Sequence, residues 1–265
     1  MTAARIIRAS VAAVEGLRQA TVDDPRLHAA LLSVKQYQSL RFHHSYRDIL
    51  AGGPFQLAGQ FFLDELYGAY DFSRRDAQFA RIAGAIERLL PAAAVATAVA
   101  LARLHVQTER LDCAMAKAWM SIRRTTTPAQ RYVIAWKHVG ERAQRQQQLQ
   151  TVLELGRELE RLTRIPALRR VLKMMRLPAA AAGLSDLQHF LETGFDAFAS
   201  MATETTNASD FLGLIQARET ELIDTLFAED ARVARAIEQG LLPPGDAAAT
   251  GAAACARETA VRPKE

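Results

Sequence analysis

The sequence predicts an all-α protein: a single bundle of about eight to ten helices over residues 1–240, followed by a disordered tail over 241–265. Three observations carry that expectation. Apolar residues recur at helical spacing in segment after segment, and no stretch alternates with period two over the length of a strand. Helix-start signals such as Asp24-Pro25 and Thr127-Pro128 fall where one apolar stripe gives way to the next. No repeat of fixed period runs through the chain, so a solenoid is not expected.

The elements follow in order. Residues 3–20 form an amphipathic helix through Ile6, Ile7, Val11, Val14 and Leu17, with Arg5, Arg8, Glu15 and Arg18 as its charged positions. Asp24 caps a second helix, with Pro25 in its first turn, that runs to about Leu50 and has Gln38 and Ser45 on its inner face. Gly52-Gly53-Pro54 ends it and opens the segment around which the chain is organised, PFQLAGQFFLDELYG. At 100° per residue Phe55, Ala58, Gly59, Phe62 and Leu66 share a face there, Leu57 and Phe61 extend it to one margin, and Leu63 to the other. Glu65 falls inside that apolar sector, and a buried carboxylate needs a partner.

Ser73-x-x-Asp76 reads as a capping box with Asp in place of Glu, opening a helix through Phe79, Ile82, Ile86 and Leu89. Pro91 starts a long helix to about Ile122, and Thr127 starts another on Tyr132, Trp136 and Val139. The stripe then shifts phase, so 128–163 is either one bent helix or two that meet near Gln146 to Gln148. Pro166 and Pro178 bracket a short basic helix, LRRVLKMMR. Further helices begin at Ser185, on Leu187, Phe190, Leu191, Gly194 and Phe198, and at Ser209, on Phe211, Leu214, Ile215 and Leu222. A short one spans 230–238. Beyond it the composition is Ala and Pro with almost no large aliphatic side chain, the signature of a tail that cannot offset the entropy of ordering.

Composition narrows the function classes. At 49% hydrophobic and 23% charged, the chain has the balance of a soluble globular protein. No apolar run of about 18 residues is present, so no transmembrane segment is expected, and the N-terminus lacks the apolar core of a secretory signal. Two distant cysteines, Cys113 and Cys255, form neither a disulfide framework nor a metal-ligand spacing, and the expected location is the reducing cytoplasm. Charge is unevenly spread. Residues 103–176 carry 16 Lys and Arg against 6 Asp and Glu, whereas 178–240 carry 3 Arg against 11 Asp and Glu. Such asymmetry marks either a basic surface or two halves that pack against each other, and the second reading is preferred.

FFLDELYG followed by DFSRRDAQFAR resembles the pattern FF-L-x-x-LYG-x-x-DF-x-x-RD of a family of bacterial helical proteins with no established function. RLPAAAAGLSDLQHFLETGFDAFASM is similar to that family too, and the similarity covers about residues 30–230. The resemblance implies no activity and transfers no catalytic residue.

Candidate chemistry therefore has to be found residue by residue. His105, Glu109 and Asp112 project from one helical strip between two apolar strips. With Glu65 they supply either a carboxylate–histidine metal site inside the bundle, or an interhelical network in which Arg47, Arg75 or Arg81 pairs the carboxylates. The network is the preferred reading. Arg218 falls on the stripe of Phe211, Leu214, Ile215 and Leu222. It is expected to reach inward, or to lie over the core's edge, and to pair with Glu65, Asp76 or Glu109, or with an anion. His189, Glu192 and Asp196 lie opposite Leu187, Phe190, Leu191 and Phe198 and are assigned to solvent. The basic stretch 157–176 lacks aromatic residues for base stacking and has Leu159, Leu162, Leu168, Val171 and Leu172 as an ordinary core stripe.

No phosphate-binding glycine loop, nucleophile elbow or Cys/His cluster is present. The leading expectation is a non-catalytic helical protein that binds a partner or small ligand in a regulatory role, with a protein or a second copy of the chain as partner. The alternatives are a metal binder or metal-dependent enzyme using Glu65, His105, Glu109 and Asp112, and a binder of nucleic acid or anionic surfaces through 103–176. Nucleic acid is the less expected partner, and no cofactor is expected unless a metal ion occupies the polar strip.

Overall fold

The computed structural model describes residues 1–66, 70–123, 126–202 and 206–243. Among them are thirteen α-helices, one π-helical turn and no strand, more helices than the eight to ten expected. They are α1 Ala3–Val22, α2 Pro25–Ser45, α3 Arg47–Leu50, α4 Gln56–Phe61, the π turn Phe62–Leu66, α5 Ser73–Leu89, α6 Ala92–Ser121, α7 Pro128–Val139 and α8 Arg142–Thr163. α9 Pro166–Met174, α10 Arg176–Ala181, α11 Ser185–Ser200, α12 Ala208–Leu226 and α13 Asp230–Glu238 complete the chain.

The surplus comes from breaks that apolar periodicity does not register. The helix expected to reach Leu50 stops at Ser45, because Tyr46 leaves helical geometry, and α3 restarts after it. The basic segment between the prolines divides at Met175 into α9 and α10, and Pro178 falls within the first turn of α10, where a missing N–H costs little. Helices α7 and α8 meet at Gly140 and Glu141, not among the glutamines. Both residues have positive φ, 67° and 59°, and Gly140 relieves the strain of the first.

α6 is the organising element. Its 30 residues span about 45 Å and pack against α1, α2, α7 and α8. Ile7 of α1, Ala83 and Ile86 of α5 and Ala102 of α6 form one apolar cluster. A second joins α2, α6, α7, α12 and α13 through Val34, Met115, Trp119, Tyr132, Trp136 and Leu226. The third gathers Phe42, Tyr46, Phe62, Leu153, Phe198 and Phe211 from the central segment, α8, α11 and α12.

The central segment is wound differently from the expected continuous helix. The π turn is wider than an α turn, so successive side chains rotate less, and Phe61, Phe62 and Leu63 are all buried. Phe61 is therefore a core residue and not a marginal one. Leu57, expected to extend the apolar face, is 57% exposed. Tyr67 and Gly68 of the motif lie outside the described residues. The capping box at Ser73 is also corrected: Asp71 accepts from the Ser73 N–H, and Asp76 is buried for another purpose. Capping boxes do form at Thr127 with Gln130 and at Asn207 with Asp210.

Packing is closest where glycines let helices approach. A Cβ on Gly156 of α8 would meet Leu212 Cδ2 of α12 at 2.5 Å, and one on Gly194 of α11 would meet Phe61 Cζ at 2.9 Å. The charge asymmetry is partly spent inside the fold. Lys137–Asp230, Arg142–Asp224, Arg169–Asp196 and Arg176–Glu192 each join the basic middle to the acidic stretch after it. The body also runs past the expected boundary at 240: Leu242 is 2% exposed, and the Tyr37 hydroxyl donates to the Pro243 carbonyl at 3.3 Å. The rest of the expected tail, 244–265 with Cys255, lies outside the described residues.

Candidate functional site

His105, Glu109 and Asp112 do project from one strip of α6, but their partners are not those expected. Arg18 of α1 is the hub. Its Nη1 donates to Asp76 Oδ2 of α5 at 2.8 Å, and its Nη2 to Glu109 Oε1 at 3.3 Å and to His105 Nε2 at 3.3 Å. Lys35 of α2 donates to the same Glu109 oxygen at 2.9 Å. His105 Nε2 also lies 3.7 Å from Glu109 Oε1, and the ring's other nitrogen is Nδ1. That nitrogen faces Asp76 Oδ1 at 3.4 Å. Four helices, α1, α2, α5 and α6, are thus tied by one polar cluster.

The electrostatics divide along the strip. Burial pushes the Glu109 carboxyl up, but His105, Lys35 and Arg18 outweigh it and hold the group down at about 2. One turn further, burial wins: Asp112 receives a single hydrogen bond, from Gln38 at 3.0 Å, and its carboxyl is raised above the ordinary range. Glu109 Oε2 is buried without a protein donor. Beyond Asp112, the buried Arg145 of α8 lies with its guanidinium 3.4 Å from the Trp136 ring centroid. Neither its Nε nor its Nη2 reaches a protein acceptor, and burial lowers its pKa.

Glu65 does not join His105, Glu109 and Asp112. Arg75 takes it, donating from Nη1 to Oε2 at 2.9 Å while its guanidinium lies against the rings of Phe72 and Phe190 at 4.1 and 4.6 Å. Arg75 was among the expected partners. Arg81 instead donates to the Ala182 and Gly183 carbonyls at the end of α10. Among the described residues no three His, Cys, Asp and Glu side chains are grouped to hold a metal ion.

Arg218 is corrected as well. It pairs with Asp48, donating from both Nη atoms at 2.8 and 2.7 Å, and to the Ser45 carbonyl, at the edge of the core beside the Tyr46 ring. The cation that enters the core near it is Arg41, which pairs with the buried Glu219, itself a hydrogen-bond acceptor from the Tyr46 hydroxyl at 2.8 Å. The strip His189, Glu192 and Asp196 is at the surface as expected, with Glu192 and Asp196 occupied by Arg176 and Arg169.

Sequence reasoning missed Arg18, Lys35, Arg41 and Arg145, and it took Asp76 for a helix cap or a partner of Arg218, not of Arg18. A signal existed for the first: positions 7, 11, 14 and 18 continue one stripe, so Arg18 ends the buried face of α1. Arg41 likewise follows Val34 at i+7. Asp76 was hidden by a plausible capping pattern.

Two shallow surface depressions have no lining residue in the cluster. One runs along the outer face of α12 by Gln216, Thr220 and Glu221, the other lies between α6 and α7 by Lys117 and His138.

The basic helix α9 starts at Pro166 and turns its charges to solvent as expected, but its apolar positions do not form the expected core stripe. None of its described side chains is buried. Leu168 and Leu172 lie half-buried against the body, whereas Val171 is 46% exposed, Met174 69%, Met175 45% and Leu177, at the start of α10, 83%.

These features define an all-helical protein in which a buried polar cluster ties helices together, and in which the short basic helix α9 and the start of α10 carry four of the exposed large apolar side chains. Residues 17–233 match the family described as a domain of unknown function (DUF8198), and the chain belongs to that family. The match begins earlier than the similarity noted from the motif. No curated protein and no solved structure matches the chain.

Proposed function

We propose that the protein works without catalysis, by binding a macromolecular partner, and that the face of α9 and α10 is where it binds. The observation that carries this reading is the exposure of Val171 and Met174 on α9, which has no buried side chain described, continued by Met175 and by Leu177 at the start of α10. Adjoining exposed apolar side chains rimmed by charge are the usual mark of an interaction surface. The polar strip supports the reading from the other side. A catalytic base needs access to its substrate, and His105 is enclosed by Arg18 and Glu109 at Nε2 and by Asp76 at Nδ1. A metal ion at Glu109 would meet the positive charges of Arg18 and Lys35, which already hold the Oε1 atom of that carboxylate. The cluster reads as structural.

The test places a photoreactive amino acid at 174 in living cells and, as a control, at 89, since Leu89 is 78% exposed at a different corner. Discrete protein or lipid adducts from 174 and none from 89 are expected. Equal labelling from both positions, or none from 174, would overturn the proposal.

A further inference from the structure

Given that reading of α9 and α10 as the binding face, we infer that the partner is an anionic bilayer surface, on which α9 lies flat with its apolar strip in the headgroup boundary. Val171, Met174 and Met175 are spaced i, i+3 and i+4, so they share one side of the helix. Their exposure, with that of Leu177, means that they project instead of lining a groove. A bilayer accepts projecting side chains without a complementary shape, whereas a protein partner must supply one.

Charge points the same way. From residue 161 to 185 there are six Lys and Arg and no Asp or Glu. Arg161 and Arg164 pair with Glu158 and Glu160 on α8, and Arg169 and Arg176 with Asp196 and Glu192 on α11. That leaves Arg170, beside Met174, and Lys173 exposed on α9 without an ion pair among the described residues. Long cationic side chains beside a shallow apolar strip suit lipid phosphates, toward which they can extend while the strip is immersed. A second copy docked through the same face would oppose Arg170 and Lys173 to themselves. Nucleic acid would meet apolar side chains where phosphate contacts are needed, with no aromatic ring to stack on its bases. No helix among the described residues is long and apolar enough to cross a membrane, so the contact is peripheral.

The test is co-sedimentation of the full chain with vesicles of phosphatidylcholine alone and with about 30 mol % phosphatidylglycerol added. Binding to the anionic vesicles only, weakened by salt, is expected. Arg170→Ala with Lys173→Ala should bind about 30-fold more weakly, and Met174→Glu with Leu177→Glu should lose binding, while Leu89→Glu binds as wild type. Because the four substituted positions on this face are not buried, melting temperature should not change, which separates lost binding from lost fold. No sedimentation, equal sedimentation with neutral vesicles, or variants that bind as wild type would overturn the inference. If vesicles fail while position 174 still gives a discrete protein adduct in cells, the binding face stands and the lipid falls. If both fail, both fall.

Discussion

Arg18 and Asp76 lie 58 residues apart in the chain and meet at 2.8 Å, with Asp76 only 4% exposed. The same guanidinium reaches Glu109, so one side chain balances two buried carboxylates on two helices. Its loss would remove the ion pair of Asp76 and leave the His105 ring and the more distant charge of Arg75 near it. Arg18→Leu should therefore cost about 3 kcal/mol in chemical denaturation, the lower part of the range for breaking a buried pair, because Arg18 is itself partly exposed. His105→Ala leaves Arg18 in place on both carboxylates and should cost about 1 kcal/mol. Equal losses would show that the ring, and not the guanidinium, holds the cluster together.

The two carboxylates of the α6 strip should respond oppositely to pH. Glu109 is held at about 2 against an ordinary 4.5, so the folded state releases its proton more readily than the unfolded chain. The stability it contributes is complete above pH 4.5 and is lost as pH falls toward 2, on the order of 2–3 kcal/mol in all. For Asp112 the folded carboxyl is raised above 3.8 by burial, so its ionisation opposes folding, and that cost grows as pH rises through its shifted range. At neutral pH, Glu109→Gln should destabilise by about 2 kcal/mol, whereas Asp112→Asn should cost less than about 1 kcal/mol or stabilise. Urea titrations of both variants between pH 3 and 7 would decide, and the same pH slope for the two would refute the assignment.

Glycines offer a test of the packing itself. Gly156→Ala and Gly194→Ala drive a methyl into Leu212 and Phe61, both buried, and should each cost about 1–3 kcal/mol. Gly213→Ala, inside α12 with nothing within 4 Å of the added carbon, should instead stabilise by about 0.5–1 kcal/mol. A thermal melt of each variant reads the sign directly.

The end of the body can be located by truncation. A chain ending at Pro243 should melt with the full-length protein, because the residues removed are poor in apolar surface. One ending at Gln239 loses the buried Leu242 and the bond from Tyr37 to Pro243, and its melting temperature should fall by several degrees. Identical melting of the two truncations would place the boundary back at 240.

The sequence by itself determined the all-α class, the placement of most helix starts, and the burial of Glu109 and Asp112 between two apolar strips. Those are local matters: capping chemistry and a period of 3.6 residues are written within a few turns of chain. It also identified the need of Glu65 for a partner and included Arg75 among the choices. Tertiary structure alone decided which cation meets which carboxylate. Arg18, Lys35 and Asp76 come from three different helices, and nothing in local spacing ranks one distant arginine above another. Tertiary structure also decided where helices break. Where α4 passes into the π turn, Phe61, Phe62 and Leu63 are all buried, three consecutive apolar residues that a single helical period would spread over more than half a turn. Finally, the apolar positions of α9 read as a core stripe, because sequence records that a face is apolar but not whether anything covers it. Only the packing of α8 and α11 against the other side of that helix left Met174 and Val171 facing out.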